Sequence, residues 1–131
     1  MSDFHRIALS LACLALSGCA SLNNFTEDVA GIFSTRGQRE LDVGMKAYED
    51  GEYPYAARLL QASLDAGLRG TTNRVRAHKY LAFLHCASNR IQQCRDEFRK
   101  ALEIDPSFDL REDEAGHPIW GPVFRGVKGK Q

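Results

Sequence analysis

Four cysteines and four histidines are the residues of this 131-residue chain best suited to chemistry. Cys86 and Cys94 follow His78 and His85, so the group could be a disulfide, a pair of buried thiols or a metal site. The metal is the least favoured, because helical positions 78, 85 and 86 do not converge as a tetrahedral Zn²⁺ site requires. No C-x-x-C-H haem site, G-x-S-x-G elbow, H-E-x-x-H pair or phosphate-binding glycine loop occurs. Glu112, Asp113 and Glu114 read as a solvated loop, where no burial would separate their pKa values for acid/base work. No residue remains to name as catalytic, so a non-enzyme without a metal or cofactor is expected.

Composition places the chain among globular proteins, with 44% hydrophobic and 26% charged residues, and its length allows one small domain. Lys+Arg 17 balances Asp+Glu 17. That neutrality gives no long-range field to concentrate nucleic acid, so binding by general attraction to a polyanion is excluded and only local patches remain.

The N-terminus decides the fate of the thiols. A short polar start with His5 and Arg6 leads into the apolar run Ile7 to Leu16, too short to span a bilayer but long enough for a secretory signal. Leu16-Ser17-Gly18-Cys19 then resembles the lipobox of bacterial lipoproteins. The resemblance implies cleavage after residue 18, acyl chains such as palmitate on Cys19, and stable anchoring by several chains together. Ala20 and Ser21 carry no acidic retention signal, so an outer-membrane anchor facing the periplasm is expected. With Cys13 removed and Cys19 acylated, one intrachain pairing is left, Cys86 with Cys94. An oxidising compartment favours it over two free thiols.

Beyond the signal the apolar period is helical. Ile91, Cys94, Phe98 and Ala101 step by three or four along one stripe, and Asp105-Pro106 stops the helix. Arg99 to Pro106 resembles the closing segment of the tetratricopeptide repeat. Counting back, Phe98 and Cys94 fall on helix B and His78-x₂-Leu81-Ala82-x₂-His85 on helix A. An earlier copy reads Glu40-x₂-Val43-Gly44-x₂-Ala47, a turn at Gly51-Glu52-Tyr53, then Ala56-x₃-Leu60 and Ser63. The expected fold is all-α, a short tetratricopeptide-like array of two helical hairpins with flanking capping helices. Phe25, Val29, Ile32 and Phe33 predict the upstream cap, and Trp120, Phe124 and Val127 the downstream one. The boundaries are 1–18 for the signal, 19–35 for the lipidated tether and N-terminal helix, 36–110 for the repeats and 111–131 for the cap. Residues 128–131 are expected to fray.

By the same resemblance, helix A lines a concave groove. Leu41, Met45 and Tyr48 from the first repeat, with Arg76, Lys79 and Phe83 from the second, are the candidate partner-binding residues. Arg74, Arg76 and Lys79 lie in a stretch without a carboxylate and could receive an acidic peptide, or form a solvated basic face. The lipobox, the paired cysteines in His85 to Phe98, and the ending Gly116-His117-Pro118-Ile119-Trp120-Gly121-Pro122-Val123-Phe124-Arg125 together resemble TssQ-type lipoproteins associated with type VI secretion. The implied role is an accessory envelope component that binds another subunit of that apparatus, with no nucleic acid or small-molecule substrate. A pilotin-like or outer-membrane-assembly lipoprotein is the alternative. A periplasmic redox factor using Cys86 and Cys94 is the reading from a different class.

Overall fold

Small residues set where the helices cross. The computed structural model describes residues 35–130, with a first helix α1 over 35–49 and α2 at Tyr53–Asp65. A Cβ added to Gly44 would stand 3.1 Å from Leu59 Cβ and 3.2 Å from the Leu60 nitrogen, so glycine lets α1 and α2 approach this closely. Pro54 occupies the first turn of α2, where a missing amide hydrogen costs nothing. Ala56, Leu60 and Ser63 form its buried stripe, and Ser63 Oγ donates to the Leu60 carbonyl at 2.7 Å.

The second hairpin repeats this plan with α3 at Thr71–Ala87 and α4 at Ile91–Ile104. Asn89 makes the turn at φ 59°, a left-handed conformation that asparagine tolerates better than most residues. The α4 stripe holds Cys94, Phe98, Ala101 and Leu102, all buried. The helix ends at Asp105, which is extended as a residue before proline prefers. Two short elements follow, α5 at Glu112–Ala115 and α6 at Trp120–Lys128. No strand occurs among the described residues, and no helix there is long and apolar enough to cross a membrane.

The core forms in two clusters. Leu41, Met45, Leu60, Ala77, Leu81 and Leu84 pack between the hairpins, while Phe83, Cys86, Phe98 and Leu110 pack with Phe124 of α6. Tyr48 and Tyr80 pack against both. Phe98 is fully buried and meets Phe124 edge to face at 5.1 Å between ring centroids. Each such side chain contributes about 1.5–3 kcal/mol through burial alone. Trp120 stacks on Phe83 at 4.4 Å, so α6 covers the open end of the second repeat.

The architecture is the all-α array of paired hairpins that the spacing predicts. The upstream cap expected from Phe25 to Phe33, and Cys19 with the signal, lie outside the described residues. Two expectations need correction. The acidic run is not a solvated loop, because residues 112–115 form α5 and Glu114 is buried against a lysine of α3. Lys128 is not frayed: its ammonium donates to Asp109 Oδ2 at 2.6 Å and to the Phe108 carbonyl at 3.1 Å, at the helix end where a cation suits the dipole.

Candidate partner-binding face

Helices α1 and α3 lie side by side, joined where Asn73 Nδ2 donates to Gln38 Oε1 at 2.7 Å. On α3, helical spacing puts Arg76, Lys79, Tyr80 and Phe83 on one side and His78, Leu81 and His85 on the other. The first side carries a continuous chain of rings. Tyr53 meets Tyr48 at 5.6 Å, Tyr48 meets Tyr80 at 4.8 Å, Tyr80 meets Phe83 at 5.6 Å, and Phe83 is stacked by Trp120, which is in turn stacked by His117. Tyr53 remains 51% exposed and Tyr48 and Tyr80 are half-buried. The open end of the chain is therefore an aromatic surface available to a partner.

Its electrostatics are mixed. Burial pushes the Tyr48 and Tyr80 hydroxyls above their ordinary acidity range, and the Glu114 charge adds to this in both. The Arg111 and Arg76 charges act on Tyr80 in the opposite direction. Arg76 lies one helical turn from Tyr80 on the same face, and Arg111 reaches Glu114 Oε1 at 3.2 Å. Both hydroxyls stay protonated and can donate hydrogen bonds. Tyrosine and arginine are among the side chains enriched at the energetic centres of protein interfaces.

The six residues assigned to the groove from sequence fare differently. Tyr48 and Arg76 stand at this face. Leu41 and Met45 do not: α1 packs against both α2 and α3, and these two side chains fill the first core cluster. Phe83 is covered by Trp120 and is only 2% exposed. Lys79 is not a free cation, because its Nζ lies 2.6 Å from Glu114 Oε1, with the two side chains 10% and 7% exposed. Tyr53, Tyr80 and Arg111 were not anticipated. Tyr80 adjoins Lys79 on the same helical face and could have been found by extending the period; Arg111 carries no local signal.

The opposite side of α3 is occupied by the second repeat's own chemistry. His78 Nδ1 and Glu97 Oε2 are 2.7 Å apart, and Lys100 Nζ donates to Glu97 Oε1 at 2.6 Å. Burial works to raise the Glu97 pKa, but the hydrogen bonds from His78 and Lys100 outweigh it and hold the carboxyl below its usual range. His85 is pushed down by burial and then by the Arg90 charge, which favours its neutral form. Cys86 and Cys94 are joined as a disulfide across the α3–α4 turn with Cα atoms 5.2 Å apart. Both are buried, which withholds them from exchange with an outside thiol.

Residues 75–108 match the family model described as tetratricopeptide repeat, from the second turn of α3 through the end of α4. Fold and match together define the class, an all-α array of tetratricopeptide type, in which α1 and α2 form the other hairpin. Repeats of this kind serve as protein-interaction modules. No curated protein and no solved structure matches the chain.

Proposed function

We propose that the protein is a lipid-anchored interaction module of the bacterial cell envelope, an accessory lipoprotein of a type VI secretion system, and that it holds a protein partner on the face shared by α1 and α3. The observation that carries the binding role is the open end of the ring chain, Tyr53, Tyr48 and Tyr80, with exposed Arg76 one helical turn from Tyr80. The lipobox ending at Cys19 supports the anchor and its periplasmic orientation, and the resemblance of residues 116–125 to TssQ-type lipoproteins supports the secretion system.

The test is capture of envelope proteins by the full chain and by a Tyr53→Ala, Tyr80→Ala, Arg76→Glu variant with matched circular dichroism. Arg76 and Tyr53 are exposed, whereas Tyr80 packs against both core clusters, so the matched circular dichroism is what establishes that the variant folds. A secretion subunit retained by the wild type and lost by the variant is expected. Equal recovery by both would place the interface elsewhere. Cys19→Ser should shift the protein out of the membrane fraction, and an unchanged distribution would remove the anchor from the account.

A further inference from the structure

The face that sequence assigns to an incoming carboxylate already holds one. Glu114 Oε1 accepts from Lys79 Nζ at 2.6 Å and lies 3.2 Å from an Arg111 guanidinium nitrogen, while Oε2 accepts the Arg111 amide at 3.1 Å. The Lys79 ammonium also sits over the rings of Tyr80 at 4.8 Å and Phe83 at 5.7 Å. A carboxylate on a lysine, framed by aromatic rings and a second cation, is the arrangement an acidic peptide would seek. Here it is supplied by the chain itself, from 35 residues away.

The element that carries Glu114 is short and mostly exposed. Leu110 on one side and Trp120 on the other are packed in the second core cluster, and Ala115 between them is partly buried against it. Between them Arg111, Glu112, Asp113, Gly116, Pro118 and Ile119 are all exposed, and Glu114 is the one buried residue. Besides its ion pairs, the segment is tied by Trp120 Nε1 donating to the Glu114 carbonyl, by Arg125 donating to the Ala115 carbonyl, by the Gly121 amide donating to the His117 carbonyl and by the stack of His117 on Trp120; water can replace the hydrogen bonds. A buried ion pair gives back little net stability for the solvation it forfeits. Lifting the segment gives up the Ala115 packing and the His117–Trp120 stack but leaves Leu110, Phe98 and Phe124 of the core in place.

We propose that α5 is a displaceable internal ligand, with Glu114 as the resting occupant of the Lys79 site and an acidic segment of the partner protein as its replacement. This rests on the reading of the α1–α3 face as a docking surface and adds its regulation: the site is closed until a competing carboxylate takes the place of Glu114. Such a device lowers apparent affinity by the fraction of time α5 spends lifted, and so selects partners that bring the right charge.

A synthetic peptide of residues 107–119 of this sequence serves as the probe, added to the full chain, to Glu114→Gln and to a Lys79→Met, Glu114→Leu double variant. The double variant replaces the pair by apolar groups and should stay folded. Glu114→Gln should bind the peptide at least about tenfold more tightly than wild type, and the double variant should not bind it. Hydrogen exchange on the wild type supplies a measurement independent of any substitution: amides 112–117 should exchange at least about a hundredfold faster than those of α4. Peptide affinity unchanged by Glu114→Gln, binding retained by the double variant, or α5 protection equal to that of α4 would each overturn the proposal. A natural partner captured through Tyr53 and Arg76 with the same affinity for wild type and Glu114→Gln would also overturn it, while leaving the docking surface in place.

Discussion

Cys86 and Cys94 close a short loop at a sequence separation of eight, within a core made by two hairpins and a cap. In the chain-entropy account such a closure stabilises by about 2.5 kcal/mol. For a domain of this size that moves the thermal midpoint by roughly 10 °C or more. Reduction, or Cys86→Ala with Cys94→Ala, should lower the midpoint by that order in a calorimetric scan; an unchanged midpoint would show that the bridge carries no stability. Not every residue was as legible in the sequence as these two. Their pairing follows from the short turn and from what the lipobox implies for the other two cysteines. The Lys79–Glu114 pair does not follow from anything local, since three adjacent carboxylates offer themselves and only the docking of α5 selects the third. Long-range pairs of this kind depend on how chain segments meet in space, which a helical period does not encode.

The helices were the most legible level, because small residues at fixed spacing mark crossings. Gly44 falls where α1 and α2 approach closely, and Ala56, Ala82 and Ala101 at the other small-residue positions are fully buried. The same logic separates two glycines of α6. A Cβ at Gly121 would stand 2.4 Å from the Ala115 carbonyl oxygen, whereas one at Gly126 would meet nothing within 4 Å. Gly121→Ala should therefore destabilise by about 1–3 kcal/mol in urea unfolding through overpacking. Gly126→Ala should be neutral or stabilise by up to about 1 kcal/mol through helix propensity. Equal effects from the two would mean that α6 does not seat against α5 as described. What the period misassigned was the facing of α1. Leu41 and Met45 lie on the helix-A stripe that the repeat family turns to its groove, yet in this array α2 and α3 close over them.

At the scale of the molecule, balanced charge and a mixed aromatic and cationic face point to short-range recognition of a protein rather than long-range attraction of a polyanion. The chain's two faces are chemically distinct. One side of α3 presents Arg76 and Tyr80, while Leu81 and His85 on the other line a shallow depression with Arg58 and Gln61 of α2. The central claim is that the partner docks on the first of these. It is tested most directly by placing a photo-crosslinking amino acid at Arg76, and separately at Gln61, in the full-length protein within the native envelope, followed by illumination and identification of the adducts. Both positions are exposed, so neither substitution should disturb folding. The account predicts a discrete adduct with one envelope protein from position 76 and none from position 61. An adduct formed only from position 61 would contradict it and move the interface to the α2 side.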